Sequence, residues 1–318
     1  MRIVFMGTPE SAVPSLRRLV ADGHEIVAVW TQPDKPAGRG KKLQASPVKQ
    51  LALDHNLPIH QPARIKTPEA KELFASHNAD VAVVVAYGKI LPQEILDAPS
   101  LGCVNVHFSL LPKYRGAAPV NWAIVNDEKE TGVTTMRIIQ ELDAGPILLQ
   151  SATRIDENET APQLLARLSG VGAELISETL HNLDRIEPKP QLDGEATVAP
   201  ILKREDGLID WTMDAFAIAR RVRGFQPWPN AFTEFRSRRL IVWDATPEWI
   251  EQLRFTPGQV IDVTPNRLIV SCGEGTALRL HEVQLQDSKR MRARDFVNGT
   301  RLQPGELLGQ SSEKLREL

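Results

Sequence analysis

Asn105 and His107 stand two apart in the run Val104-Asn105-Val106-His107, a β-rich stretch in which alternate side chains leave the same face. A carboxamide and an imidazole therefore converge on one point. A carboxylate is available to join them, because Leu142-Asp143-Ala144-Gly145 puts Asp143 on a turn, and the loop after His107 is dense in special residues, Ser109 to Pro112 and then Tyr114-Arg115-Gly116. No nucleophile accompanies the three. Ser109 follows His107 by two residues and lies in no GxSxG elbow, which argues against a serine hydrolase. Asparagine, histidine and aspartate suit direct transfer of a carbonyl group to an incoming amine: amide and imidazolium donors stabilise the oxyanion, and the carboxylate orients a base or a proton path. From these residues alone, Asn105 and His107 could equally be held by loop backbone, and Asp143 could be a turn former ahead of Gly145.

The elements that must carry these residues follow from the pattern of the chain. At 318 residues the length favours about two domains. The first half alternates β-rich runs at 2–6, 25–31, 58–60, 80–86 and 104–107 with helical spacing at 11–22, 47–56 and 68–78, the pattern of βαβ units around a mostly parallel, Rossmann-like α/β sheet. The stretch 81–85 is apolar on both parities and predicts a central strand covered on two faces. Neighbouring strands at 133–139 and 147–155 and a helix at 161–183 complete this domain, expected over 1–188. A proline- and glycine-rich linker covers 189–206. The remainder, 207–318, has a helix at 214–223 and short β-rich segments at 231–235, 240–244, 258–263, 268–272 and 277–283, which suggests a smaller open β-barrel, OB-like in kind. Gly305–Leu318 reads as a frayed tail.

Composition excludes several classes. Lys and Arg total 38 against 40 Asp and Glu, a formal charge of −2, with 42% hydrophobic and 25% charged residues; neither a disordered acidic chain nor a uniformly basic coat fits. No apolar stretch approaches the roughly 20 residues of a membrane span, and the N-terminal apolar run ends too early for a secretory core, so a cytoplasmic protein is expected. Two cysteines without CxxC or HExxH predict neither a disulfide framework nor a metal site. Met6-Gly7-Thr8-Pro9-Glu10 invites a dinucleotide reading but lacks the second and third glycines that a pyrophosphate turn needs. Charge is clustered: Lys35, Arg39, Lys41, Lys42 and Lys49 form one candidate phosphate-facing patch, and Arg220, Arg221, Arg223, Arg236, Arg238 and Arg239 another. The prolines and glycines of loop 34–46 exclude an ordinary helix or strand there.

The run from Asn105 through His107-Phe108-Ser109-Leu110-Leu111-Pro112-Lys113-Tyr114-Arg115-Gly116 to Pro119, with Glu141-Leu142-Asp143-Ala144-Gly145, resembles the signature of the folate-dependent formyltransferases. The resemblance implies 10-formyltetrahydrofolate as co-substrate, with no metal, and Asn105, His107 and Asp143 as catalytic residues. It implies a pterin slot lined by Ser109, Leu110, Leu111 and Pro112, faced by Tyr87, Gly88, Ile90 and Leu91. Three further segments, Thr31 to Lys42, Val83 to Pro92 and Phe225-Gln226-Pro227-Trp228-Pro229, imply the branch of the family whose acceptor is the α-amino group of methionine on initiator tRNA. Lys35, Arg39, Lys41 and Lys42 would then meet the tRNA acceptor end, with Arg39 reaching nucleotide edges, and cations of the second domain would grip phosphates. A monomer is expected, with tRNA and folate as its partners and no membrane. The departures are small: Lys35 stands where many relatives have arginine, and Gln226 where asparagine is common. Two alternatives remain open at this point: a formyltransferase acting on a sugar-nucleotide amine or glycinamide ribonucleotide, and a tRNA-binding module without catalysis. Trp228 is either a core residue or a wall beside the domain junction.

Overall fold

Val81–Val85 is buried at every position, as a strand covered on both faces must be. In the computed structural model, which describes residues 1–37, 42–250, 255–264 and 267–309, it is the middle member of a seven-stranded sheet. The strand order is Ile147–Arg154, Glu130–Arg137, Cys103–His107, Val81–Val85, Arg2–Gly7, Glu25–Trp30 and Ile59–His60. The last five run parallel, and Glu130–Arg137 and Ile147–Arg154 pair antiparallel at one edge. The mostly parallel α/β sheet expected from the sequence is thus the observed one.

Helix starts follow local chemistry. Pro47–Asp54 begins after Ser46, whose hydroxyl accepts from the Lys49 N–H at 3.1 Å, and Pro68–Ala75 after Thr67, whose hydroxyl accepts from the Ala70 N–H at 3.3 Å; in both, proline fills the first helical position. After Arg2–Gly7 the chain adds strands on one side, then returns to place Val81–Val85 on the other. Ligands bind outside the carboxyl ends of parallel strands near such a reversal, and Cys103–His107 ends beside it.

The chain divides into two units, and the division is not a single cut. One comprises Met1–Pro119, Glu130–Arg154 and Gln163–Ala199; the other comprises Val120–Lys129, Ile155–Pro162 and Pro200–Leu318. Residues 189–199, expected as part of a linker, are hydrogen-bonded within the first unit: Lys189 and Ile147 exchange backbone bonds of 2.8 Å, and Val198–Ala199 pairs with Arg115–Gly116. The second unit keeps a helix, Pro119–Val125, that the sequence did not announce. Its Asn121 amide donates to Gly224 O at 2.7 Å, and Trp122 meets Phe225 edge to face at 5.6 Å.

The second unit holds an antiparallel sheet in the order Ala231–Phe235, Arg238–Trp249, Thr276–Leu285, Arg267–Ser271, Val260–Thr264, with Met291–Arg292 also on Thr276–Leu285. The expected frayed tail is corrected over its described part. Gly305 N–H donates to Val260 O, Leu308 N–H to Gly258 O and Gly309 N–H to Glu234 O, each at 2.8 Å. The chain thereby runs from one open edge of the sheet to the other, satisfying backbone groups that an edge strand leaves unpaired. The loop 34–46 is also corrected, since Lys35–Ala37 and Lys42–Gln44 pair as a short antiparallel ladder; proline is tolerated in such an edge strand. Trp228 is 53% exposed and is not a core residue. Among the described residues no helix is long and apolar enough to cross a membrane.

A half-buried histidine pair and a buried tyrosine have measurable consequences. Trp30 Nε1–H donates to His77 Nε2 at 3.2 Å, and the His60 and His77 rings lie 4.9 Å apart. Burial lowers both imidazoles from the usual histidine range, and His60 lowers His77 further. The folded state therefore binds fewer protons than the unfolded chain below about pH 6.5, so this stability is complete above that pH and is lost as the solution is acidified. The melting temperature should fall between pH 7.5 and 5.5, and fall less in His77→Gln, as followed by calorimetry. The Tyr87 side chain is buried, its hydroxyl has no hydrogen-bond partner, and burial pushes its pKa up to about 12. Because an unsatisfied buried hydroxyl costs about 1–3 kcal/mol, Tyr87→Phe should raise stability by about 1 kcal/mol in urea unfolding.

Candidate active site

Cys103–His107 delivers Asn105 and His107 from one face of the strand to the carboxyl edge of the sheet. Asn105 is half-buried and His107 is 6% exposed. His107 Nε2 lies 2.9 Å from the carbonyl oxygen of Tyr114. A carbonyl only accepts, so Nε2 carries a proton and donates it there. The other ring nitrogen, Nδ1, faces Asp143 Oδ2 at 3.7 Å. The Asn105 carboxamide makes no side-chain hydrogen bond among the described residues. The structure thus brings His107 and Asp143 together and leaves the amide donor of Asn105 available.

The Asp143 turn is shaped by its neighbours. Asp143 has φ of 51°, in the left-handed region, and its Oδ2 accepts from the Gly116 N–H at 2.9 Å. Gly145 is required where it stands, since a Cβ there would come 1.8 Å from Arg137 O. Gly116, with φ of 125°, could carry no Cβ either, because it would meet Ala199 O at 2.5 Å. Gly145 therefore lets the turn approach the end of Glu130–Arg137, and Gly116 lets the loop approach Val198–Ala199.

The loop after His107 hangs on the antiparallel neighbour strand. Buried Thr134 donates to Ser109 O at 2.6 Å and accepts from Leu111 N–H at 3.1 Å, while Gln150 Nε2 donates to Leu111 O at 2.8 Å. Ser109 donates its hydroxyl to Lys113 O at 2.7 Å. Of the residues expected to form the pterin slot, Ser109, Leu111, Tyr87 and Leu91 have buried side chains, Leu110 and Pro112 are half-buried, and Gly88 and Ile90 are exposed, Ile90 at 68%. The carbonyl of Tyr87 already accepts from Gln32 Nε2 at 2.9 Å. Burial lowers the Lys89 ammonium from its usual range, and its Nζ donates to Pro62 O at 2.6 Å and Ala63 O at 3.0 Å.

The charge clusters resolve unevenly. Lys35 is exposed; Arg39 and Lys41 lie outside the described residues, as does the side chain of Lys42. Lys49 is held within the fold, its Nζ pairing with Asp34 at 2.6 Å and with Gln61 Oε1 at 2.8 Å. In the second cluster Arg236 is paired with Glu306 at 2.8 Å, Arg239 stacks 4.0 Å over Phe232 and donates to Pro229 O, and burial lowers Arg223. Sequence reasoning missed Thr134 and Gln150, which bind loop backbone and each other, with Gln150 Nε2 donating to Thr134 Oγ1 at 3.0 Å, and so leave no motif. It also missed Gln191, whose amide reaches the Asp143 turn from the stretch expected as a linker. A signal existed for Lys49 alone, since Asp34 stands directly before the cluster that begins at Lys35.

Residues 1–180 match the Formyl transferase family, and residues 201–301 match the Formyl transferase, C-terminal domain. A methionyl-tRNA formyltransferase of Solibacter usitatus is 51% identical over 312 residues, covering 98% of this chain and 99% of that protein. One of Caldanaerobacter subterraneus is 48% identical over 97% of this chain and 100% of its own length. Among solved structures, HypX from Aquifex aeolicus in complex with tetrahydrofolic acid superposes with a TM-score of 0.64 at 19% identity, over 93% of this chain and 47% of that one. An N-formyltransferase from Helicobacter canadensis, in complex with folinic acid and dTDP-3-aminofucose, gives 0.65 at 18% identity, over 88% and 98%. With both families matched in order and relatives about half identical along nearly the whole length, this chain belongs to the formyl transferase family.

Proposed function

We propose that the chain transfers the formyl group of 10-formyltetrahydrofolate to the α-amino group of methionine carried by initiator tRNA, giving N-formylmethionyl-tRNA for translation initiation. The observation that carries this reading is the pairing of an unpartnered Asn105 amide with a His107 imidazole whose Nδ1 faces Asp143. The half-buried Leu110 and Pro112 beside this cluster suit the flat face of a pterin. The folate supplies the formyl carbonyl. The methionyl-tRNA supplies the nucleophilic nitrogen, and the chain supplies the rest.

The acceptor nitrogen needs little activation, since a free α-amino group has a pKa of about 7.7–8.0 and is partly neutral at cytosolic pH. As it bonds to the formyl carbon, charge builds on the formyl oxygen, where the Asn105 amide donates. The nitrogen sheds a proton as it acylates. His107 holds its Nε2–H on Tyr114 O, so its Nδ1 edge, backed by the Asp143 carboxylate, is the side that takes this proton and returns it to the departing folate nitrogen. The first unit carries this chemistry. Lys35, Arg39, Lys41 and Lys42 meet the acceptor end of the tRNA, and the second domain, 207–318, supports the rest of it.

Asn105→Ala should lower the turnover of methionyl-tRNA formylation by about 10²- to 10³-fold, the usual loss for one oxyanion donor, with the fold intact by circular dichroism. Amino-sugar nucleotides and glycinamide ribonucleotide, assayed beside methionyl-tRNA, should accept no formyl group. Arg39→Ala should raise the KM for methionyl-tRNA at least about tenfold and leave that for folate unchanged. The affinity for methionyl-tRNA should fall steeply with salt, as phosphate contacts require; salt-independent binding would exclude the cationic loop as a tRNA contact.

A further inference from the structure

Gln191 lies in the proline-rich stretch between the two family matches, yet its side chain works at the centre of the site. Its Nε2 donates to Asp143 O at 2.8 Å and to Gly145 O at 2.8 Å. Its Oε1 accepts from Arg115 Nε at 2.9 Å. The Arg115 side chain is only 11% exposed, and its Nη2 donates to Asp193 Oδ1 at 3.0 Å. Gly116, next in the chain, donates its N–H to Asp143 Oδ2 at 2.9 Å. These contacts close a circuit: from the Asp143 carboxylate to Gly116, along the chain to Arg115, through the guanidinium to Gln191, and back to the Asp143 carbonyl.

The segment that carries Gln191 is pinned on both sides of it. Before it, Lys189 and Ile147 exchange backbone hydrogen bonds of 2.8 Å. After it, Thr197 O accepts from the Arg115 N–H and Thr197 Oγ1 accepts from the Tyr114 N–H, each at 2.8 Å. Tyr114 is the residue whose carbonyl holds His107 Nε2. One strap therefore fixes the backbone on both flanks of the imidazole.

The chemistry of the position is restrictive. A primary amide can donate twice through nitrogen while its oxygen accepts, which is what two carbonyls and a guanidinium require here. A glutamate would keep the Arg115 contact and turn an oxygen toward both carbonyls. The geometry is also sensitive, because 3.7 Å between His107 Nδ1 and Asp143 Oδ2 exceeds a hydrogen bond. A shift of a fraction of an ångström in the turn decides whether the two groups come within hydrogen-bond distance.

The geometry points to Gln191, oriented by Arg115, as a positioning residue for formyl transfer: it sets where the Asp143 carboxylate stands relative to His107. This inference rests on the reading of Asn105, His107 and Asp143 as the reacting cluster. The test uses the full chain with Gln191→Met, close in volume, and Gln191→Glu. Turnover and KM for methionyl-tRNA and for 10-formyltetrahydrofolate, exchange of the Gly116 amide proton, and the melting temperature are measured for each. In both variants kcat should fall about ten- to hundredfold, as for a small misplacement of a reacting group, with both KM values within about twofold. The Gly116 amide should exchange at least about tenfold faster, as the carboxylate that accepts its proton leaves its place. Turnover within twofold of the unmodified protein in both variants, or unchanged Gly116 exchange, overturns the assignment. So does a rise in the folate KM that accounts for the lost activity, which would make the strap part of the binding wall. A parent enzyme that formylates no methionyl-tRNA would defeat the proposed function instead, and the Gly116 exchange would then decide by itself whether Gln191 holds Asp143.

Discussion

An ionised carboxylate remains beside a buried imidazole only when something other than their attraction holds it there, because both groups lose hydration on burial. In this chain the holding is done by backbone. Asp143 stands in a left-handed conformation, its Oδ2 accepts from the Gly116 N–H, and Gly145 admits the carbonyl of Arg137 where no other residue could. The arrangement needs three separated segments at one place: the end of Cys103–His107, the Asp143 turn and the strap that pairs with Arg115–Gly116. A mostly parallel sheet supplies that meeting place, since its strands deliver their following loops to one edge.

The same economy of charge runs through the rest of the molecule. Lys49 anchors the base of the cationic loop by binding Asp34 and Gln61, and Gln61 in turn donates to Gln32 O and to Asp34 Oδ1, at 2.8 Å each. Gln32 then reaches the Tyr87 carbonyl. The loop that carries Arg39 is thus tied at its root to the segment that follows Val81–Val85. Arg236 does comparable structural work in the second unit, holding Glu306 and Thr300 O and so fastening the stretch that closes the sheet edges. A count of cations in a window does not separate those that hold the fold from those that face solvent.

Much of the architecture was legible because it depends on local pattern. Val81–Val85 is apolar on both parities and nothing but a doubly covered strand accommodates that; Ser46, Thr67 and Asp214 precede helices as capping residues do. What was not legible depends on partners distant in the chain. Pro36 argues against a strand until Leu43 is seen opposite it in a two-stranded ladder. Gly305 to Gly309 has no periodicity of its own, and becomes ordered only because two sheet edges stand ready to accept it. Strand parity put Asn105 and His107 on one face and a turn motif placed Asp143, but what marked the three as a candidate site was the resemblance to the folate-dependent formyltransferases. Gln191 was invisible because its amide nitrogen meets carbonyl oxygens, which every residue has, and its oxygen meets Arg115, distant in the chain.

Backbone partners also decide the direction of the chemistry. With Nε2–H donated to the carbonyl of Tyr114, the imidazole has one edge left, and that edge looks toward Asp143. A histidine free to rotate could present either nitrogen as donor or acceptor; this one cannot without breaking a buried hydrogen bond. In the proposed reaction the oxyanion role would therefore fall on Asn105, which has no competing partner among the described residues, and the proton role on the imidazole. Two neighbouring polar residues on one strand face are thus assigned different tasks by the contacts of the loop that follows them, and that loop keeps its place through Thr134, Gln150 and Thr197. The division of labour in the site is a property of the loop's hydrogen bonds as much as of the residues that perform it.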